Sequence, residues 1–166
     1  MSEDRSNILV AMAREIASSR PDFQAVLGPG AGDHATGSFM AELRKRAADA
    51  FGEDCSEKKI CGENSLAVDF YFEEEGTIVE VALGLPNPST EFEKDILKAI
   101  MAQDCGNNVR RLVCVSRPGA EKKCNQPGRS AVRKWAYSKH GLLIEVNDLH
   151  GEPRVRKCRS RKPKKQ

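Results

Sequence analysis

The chain has 166 residues, 39% of them hydrophobic and 31% charged, which suits a single packed domain with a short arm. No stretch approaches the roughly 18 consecutive apolar residues that a membrane span requires. The first residues do not form a basic region followed by an apolar run, so no secretory signal is visible. The six cysteines contain no CxxC pair, which disfavours a zinc knuckle, and without secretion a disulfide framework is not expected. We therefore predict a cytoplasmic protein with reduced thiols.

Charge is distributed unevenly along the chain. Residues 154–166 contain eight basic residues and no acidic residue, whereas residues 1–153 contain 19 basic and 24 acidic residues. An acidic globular part, with a net charge of −5, therefore precedes a strongly basic end. Such a segment repels itself and cannot form a core, but it suits a polyanion such as nucleic acid. The alternative is a solvated end that has no partner.

The first third of the sequence predicts two helices separated by a loop. Apolar residues at helical spacing predict a helix over 7–18, which Pro21 ends. Residues 28–32 are rich in glycine but lack the spacing of a phosphate-binding loop, so we interpret them as a simple connection. Ser38 is a suitable N-cap for a second helix that extends to Phe51.

The rest of the sequence predicts strands alternating with helices. Two runs rich in β-branched and aromatic residues, 65–72 and 77–83, flank a turn at 73–76. Thr90 and Glu93 form a capping box for the helix that follows. Next come a strand over 109–116, a polar loop over 117–128, a helix over 130–140 with Val132, Trp135 and Ala136 facing the core, and a strand over 142–146. This order predicts an α/β sandwich whose mixed sheet is covered by helices on both faces.

The predicted hairpin brings two carboxylates together. With residues 73–76 as the turn, Phe70 lies opposite Val79 and Asp69 lies opposite Glu80. A shift of one residue would place Glu80 among the core valines, so the hydrophobic pattern itself favours this register. Like charges that face each other destabilise a sheet unless one is protonated, both are solvated, or a cation binds between them. Carboxylate oxygens are the ligands that Mg²⁺ prefers, whereas a solvent-facing hairpin is the structural alternative.

The run Ile78-Val79-Glu80-Val81, preceded by Asp69 and an acidic turn ending in glycine, resembles the PD-(D/E)xK nuclease superfamily. That family includes restriction endonucleases and Holliday-junction resolvases, and the predicted element order over residues 38–146 is similar to its core. The resemblance implies a restriction-endonuclease-like three-layer sandwich. It would divide the chain into an N-terminal helix and Gly-rich loop at 1–36, a nuclease-like core at 37–150 and a disordered basic tail at 151–166.

The same resemblance implies an Mg²⁺- or Mn²⁺-dependent endonuclease that hydrolyses phosphodiester bonds of DNA. Asp69 and Glu80 match the two metal-binding acids of the family, and the main-chain carbonyl of Val81 matches a further ligand. Glu42, on the preceding helix, matches an extra acid that some branches carry. A metal held by these groups would activate water and shield the charge that develops on the phosphate.

One position departs from the family pattern. The family's lysine belongs two residues after the second acid, where this chain has Ala82, which can neither donate a proton nor accept one. Other branches carry the lysine on the following helix, so Lys94 and Lys98 are the candidates for that role. The departure leaves two alternatives to an active nuclease: a nuclease-like module that binds nucleic acid or protein without catalysis, and an α/β protein whose acid pair is structural.

Basic residues outside the acid pair indicate where on the protein DNA would bind. A DNA-binding protein of this kind is expected in the cytoplasm, near the nucleoid. We expect contacts with phosphates to favour the duplex backbone over base stacking, because Trp135 and most other aromatic residues are predicted to lie in the core. Pairing of two copies as a homodimer is left open. The candidate nucleic-acid contacts are Arg117, Lys122, Lys123, Arg129, Arg133, Lys134, Arg154, Arg156, Lys157 and Arg159.

Overall fold

A computed structural model describes residues 3–20, 31–86 and 90–149, with side chains from residue 35 onward in the second range. Residues 28–30 of the predicted Gly-rich connection at 28–32 and the predicted tail at 151–166, with its candidate DNA contacts, lie outside the described residues. Residues 31 and 32 of that connection are helical. The elements are α1 (Arg5–Ser19), α2 (Ala31–Phe51), β1 (Ser56–Lys58), β2 (Val68–Phe72), β3 (Thr77–Val81), α3 (Glu91–Asp104), β4 (Arg111–Ser116), α4 (Ala120–Cys124), α5 (Pro127–His140) and β5 (Leu143–Asp148).

The strands form one mixed sheet in the order β1-β2-β3-β4-β5. The β1–β2 and β2–β3 pairs are antiparallel, whereas the β3–β4 and β4–β5 pairs are parallel. The predicted hairpin register is confirmed, since Phe70 pairs with Val79 and Phe72 pairs with Thr77. Because β3, β4 and β5 run in the same direction, they end at the same edge of the sheet.

Helices cover both faces of the sheet, as predicted for an α/β sandwich. On one face α1 and α2 pack against the sheet, and on the other face α3, α4 and α5 do so. The helix α1 therefore belongs to the core of the protein, with Leu9, Ala13 and Ile16 buried. None of the helices in the described ranges is both long and apolar enough to cross a membrane. Fully buried residues of the first face include Phe39, Leu43, Phe70 and Val79, and those of the second include Ile78, Phe92, Leu112 and Leu142.

One predicted helix start and one predicted helix cap differ from the structure. The helix α2 begins at Ala31, seven residues before the expected N-cap Ser38. The Ser38 hydroxyl instead accepts a hydrogen bond from Arg20 at 2.6 Å. Thr90 precedes α3 as expected, but its side chain makes no capping hydrogen bond. At Ser38 a contact with another part of the chain has therefore overridden the local capping signal.

The predicted polar loop at 117–128 and the predicted orientation of Trp135 are both wrong. The loop contains the short helix α4, whose first amides are held by another element: the Asp148 carboxylate accepts hydrogen bonds from Gly119 N at 2.9 Å and Glu121 N at 3.0 Å. Trp135 is 48% exposed rather than buried. Successive helix residues point about 100° apart, so Trp135 turns outward because its neighbour Ala136 faces the sheet.

The β2–β3 turn anchors the N-terminus of α1. The Glu75 carboxylate accepts hydrogen bonds from Arg5 N at 2.5 Å and from the Ser6 hydroxyl at 2.6 Å. A carboxylate at this position satisfies amides that have no partner within the helix and interacts favourably with the helix dipole. The acidic turn thus joins the first helix to the sheet.

We expect Glu75→Ala to lower the free energy of unfolding by about 1–2 kcal/mol, the effect of losing a helix cap. Glu74→Ala removes an exposed acid from the same turn and is expected to change stability by less than about 0.5 kcal/mol. Urea unfolding followed by circular dichroism measures both values. Equal effects of the two substitutions would contradict the capping role of Glu75.

Candidate functional site

The two predicted acids lie where β2 and β3 separate. The antiparallel ladder ends at the pair Phe70–Val79, and the confirmed register places Asp69 and Glu80 as the next residues of each strand. There the Asp69 carboxylate, rather than a main-chain carbonyl, accepts a hydrogen bond from Val81 N at 2.8 Å. A side chain therefore takes the place of a main-chain partner at the point where the acids meet.

Glu80 lies on the face that α3 covers and is only 2% exposed. Burial, followed by the nearby carboxylates of Asp95 and Asp69, raises the pKa of Glu80 to about 9 against the lowering effect of Lys98. A carboxyl group with this pKa is protonated at neutral pH in the absence of an additional cation. The site therefore favours either a proton or a positive ion beside Glu80.

Lys98 reaches this acid from α3. Its Nζ atom lies 2.6 Å from Glu80 Oε1 and 3.1 Å from Asp95 Oδ1, and it donates a hydrogen bond to the Ala67 carbonyl at 3.2 Å. Burial alone would lower the pKa of Lys98, but the adjoining carboxyl groups of Glu80 and Asp95 outweigh that effect and raise it. The ammonium group is therefore charged although it is nine-tenths buried.

Asp95 completes the cluster and was not predicted. It is 5% exposed, and burial raises its pKa to about 6, against the opposing effect of Lys98. At neutral pH the cluster thus holds the Lys98 cation between an ionised Asp95 and a protonated Glu80. The signal for Asp95 was present in the sequence, because it lies three residues before Lys98 and so falls on the same face of the helix.

The carboxylates of the cluster outnumber its cations. Glu80 and Asp95 contact one ammonium group, and Asp69 and Glu91 also affect Asp95 electrostatically. Glu80 Oε1 contacts Lys98 as an ion pair but accepts no well-aligned hydrogen bond within the described residues. A buried oxygen in this condition can accept a bond from a further donor or bind a cation.

Glu91 marks the outer side of the cluster. It accepts a hydrogen bond from Gly84 N at 3.1 Å, and burial raises its pKa. A side chain at Gly84 would place its Cβ atom 2.6 Å from the Glu91 carboxylate. A larger residue at position 84 would therefore displace the flexible end of the Glu91 side chain and disturb its hydrogen bond with the Gly84 amide.

The structure brings together Asp69, Glu80 and Lys98 but not the other two predicted catalytic residues. Lys94 is exposed on α3, one turn before Lys98. Glu42 lies on α2, across the sheet, where it forms ion pairs with Arg20 and Arg46. Ala82, which occupies the position of the family's lysine, is buried.

The predicted nucleic-acid contacts within the described ranges differ in their availability. Arg129 donates to the Leu85 carbonyl at 2.7 Å and lies over the Phe92 ring, and Arg133 donates to the Ile144 carbonyl at 2.9 Å. Both guanidinium groups therefore serve packing. Lys122 and Lys134 are exposed, whereas Arg117 and Lys123 are partly buried.

The oxygen donors at the acid pair fit a hard divalent cation. Within the described ranges no group of three or more His, Cys, Asp or Glu side chains is arranged to hold a metal ion. Mg²⁺, however, usually takes only one or two protein carboxylates and keeps several waters. Two carboxylates meet that requirement: Asp69, and the buried Glu80, whose Oε1 atom is paired with Lys98.

Comparisons with known proteins leave the family of this chain open. No protein-family model matches the sequence, and neither the curated proteins nor the solved structures contain a match. The features that bear on function are therefore those of this chain itself, namely the mixed five-stranded sheet and the cluster around Glu80.

Proposed function

We propose that the protein is a metal-dependent nuclease of the PD-(D/E)xK type, with a restriction-endonuclease-like fold, that hydrolyses phosphodiester bonds of DNA. The observation that carries the proposal is the position of Lys98, whose Nζ lies 2.6 Å from Glu80. The lysine missing at Ala82 is thus supplied by the following helix. A charged amine beside two acids is the set of groups that this chemistry requires.

Asp69, Glu80 and the main-chain carbonyl of Val81 would hold Mg²⁺ or Mn²⁺. Ala82 N donates to Val115 O on β4 at 2.9 Å, so the amide and carbonyl of Val81 point the other way, towards β2. The hydrogen bond from Val81 N to Asp69 is consistent with that direction. When bound, the metal supplies an activated water and shields the charge on the phosphate.

Lys98 would position the attacking water and stabilise the negative charge that develops on the phosphate. Its own position is fixed by Asp95 Oδ1 at 3.1 Å and by the Ala67 carbonyl at 3.2 Å. An ammonium group that is held by other protein groups needs no reorganisation at the moment of reaction, which is the basis of electrostatic catalysis. Asp95 is accordingly a positioning residue.

The basic end of the chain would hold the substrate near these groups. Glu80 pairs with Cys114, and Cys114 pairs with Val146, so the three strands share one level of the sheet. The chain leaves β5 two residues later, at the edge where Glu80 lies. Basic side chains of the following residues would contact phosphates without reading sequence. Those we assign to this role are Lys122, Lys134, Arg154, Arg156, Lys157 and Arg159.

Cleavage of a supercoiled plasmid with Mg²⁺ or Mn²⁺ tests the proposed activity. We expect the wild-type protein to nick or linearise the plasmid, and Asp69→Asn and Glu80→Gln to lower the rate roughly a hundredfold or more. Glu73→Gln makes the same change at an exposed acid of the neighbouring turn and should cleave like the wild type. Cleavage that survives both site substitutions would exclude these acids as the catalytic pair.

A non-catalytic nucleic-acid-binding module is the second candidate. The observation that favours it is the set of acceptors around Lys98: Glu80, Asp95 and the Ala67 carbonyl already surround the ammonium group. In that case the lysine would act as a permanent substitute for the metal. DNA binding that decreases with salt, without detectable Mn²⁺ binding, would favour this candidate over the nuclease.

A further inference from the structure

The outward face of α5 presents an aromatic ring to solvent. Trp135, the single tryptophan of the chain, is 48% exposed. Its ring contacts that of His140 at a centroid distance of 5.2 Å, edge to face. This contact restricts the rotation of the indole without burying it. Tryptophan is enriched among the residues that contribute most of the binding energy at interfaces.

The helix neighbours of Trp135 leave the ring accessible. Ala131 lies four residues before it and Ser138 three residues after it, so these two small side chains adjoin the indole on the helix surface. Lys134 precedes it directly and Lys139 follows one turn later, and both lysines are exposed. The indole therefore projects from a surface of small side chains, with an ammonium group on each side.

Charge on this helix has one sign. The helix contains no Asp or Glu, and its exposed charged side chains are Lys134 and Lys139. Such a surface favours an anionic partner, but lysines alone would suit any polyanion. An exposed indole adds a preference for a flat ring that can stack on it. A nucleic acid strand with unpaired bases combines phosphates and planar rings at close spacing.

We propose that α5 is an accessory site for single-stranded nucleic acid, in which a base stacks on Trp135 and Lys134 and Lys139 contact the adjacent phosphates. The inference rests on the proposed function, and it deepens that function by naming the substrate class as nucleic acid with an unpaired segment. It also replaces the expectation of duplex binding, which depended on a buried Trp135. Since α5 and α3 cover the same face of the sheet, a strand bound here lies on the side of the molecule that carries Lys98.

Intrinsic fluorescence tests this site directly, because Trp135 is the single tryptophan. The full chain is titrated in EDTA with a thymidine oligonucleotide about 16 nucleotides long, the upper end of a typical single-strand site. Parallel titrations use a duplex of the same length, heparin and polyglutamate. We expect the oligonucleotide to quench Trp135 and to bind more tightly than the duplex, with an affinity that falls as salt rises.

Substitutions separate stacking from charge. Measured by anisotropy of a labelled oligonucleotide, Trp135→Leu should weaken binding by about fivefold to a hundredfold, whereas Trp135→Phe should retain most of the affinity. Thermal unfolding of both variants should match the wild type because the side chain is half exposed. The inference is overturned if Trp135→Leu binds like the wild type, if the ring is not quenched, or if the duplex, heparin or polyglutamate binds as well as the oligonucleotide.

The test is independent of cleavage because no divalent cation is present. Quenching by the oligonucleotide without plasmid cleavage in Mn²⁺ would support the accessory site and reject the nuclease. Plasmid cleavage, together with oligonucleotide binding that Trp135→Leu leaves unchanged, would support the nuclease and reject the accessory site.

Discussion

Lys98→Met is expected to lower the rate of metal-dependent DNA cleavage roughly a hundredfold to ten-thousandfold, the usual effect of removing a positioned acid–base group. The reason is geometric, because Lys98 Nζ is the ammonium group found beside Glu80. Lys94→Met removes the same charge from the same helix, one turn away, where the side chain is exposed. We expect that matched control to cleave within a few fold of the wild type.

A second variant distinguishes a lost chemical group from a lost fold. Ala82 and Glu80 are two residues apart on the same strand, so their side chains point to the same face of the sheet. Combining Ala82→Lys with Lys98→Met therefore returns the lysine to the family position and should restore part of the activity. Equal losses in Lys98→Met and Lys94→Met, with no recovery in the combined variant, would contradict the assignment of Lys98.

Two substitutions in the same cluster are expected to change stability in opposite directions. Lys98→Met leaves Asp95 buried without its cation and should lower the free energy of unfolding by about 3–5 kcal/mol. Glu80→Gln removes the carboxyl group that the cluster cannot ionise favourably and should raise stability in alkaline solution. Urea unfolding at pH 6 and pH 9 measures the free energy of unfolding of both variants and of the wild type.

The pH dependence follows from the raised pKa of Glu80, about 9 when folded against 4.5 as its ordinary value. Between these values the folded protein holds a proton on Glu80 that the unfolded chain has lost. The contribution of protonated Glu80 to the free energy of unfolding is therefore fully present below pH 4.5. It decreases as pH rises towards 9, by up to about 1.4 kcal/mol per pH unit. Glu80→Gln should remove this slope. A wild-type stability that does not fall over this interval would contradict the protonated state of Glu80.

The sequence predicted the part of the site that depends on strand alternation. Side chains alternate with a period of two, and burial of Phe70 and Val79 on one face leaves one register that keeps Glu80 out of that core. The mixed sheet and its helices followed from the order of periodic segments in the same way. These features depend on local pattern, which a single sequence contains.

Features that depend on contacts between distant elements could not be predicted in the same way. The sequence allowed Lys94 and Lys98 equally, and only the packing of α3 on the sheet turns Lys98 towards Glu80. Asp95 was missed because a buried acid on an apolar helix face is stable only with its partner, and that partner pairs with β3 as well. Trp135 was assigned to the core by its helical spacing with Val132 and Ala136, whereas in the structure only Ala136 of this set is buried.

Anomalous diffraction from a crystal soaked in Mn²⁺ tests the central claim most directly. Our account predicts a peak between Asp69 and Glu80, about 2.2 Å from a carboxylate oxygen of each and within reach of the Val81 carbonyl, with the Lys98 ammonium group still beside the site. A crystal that shows no peak there, and in which Lys98 still occupies the space between Glu80 and Asp95, would contradict it.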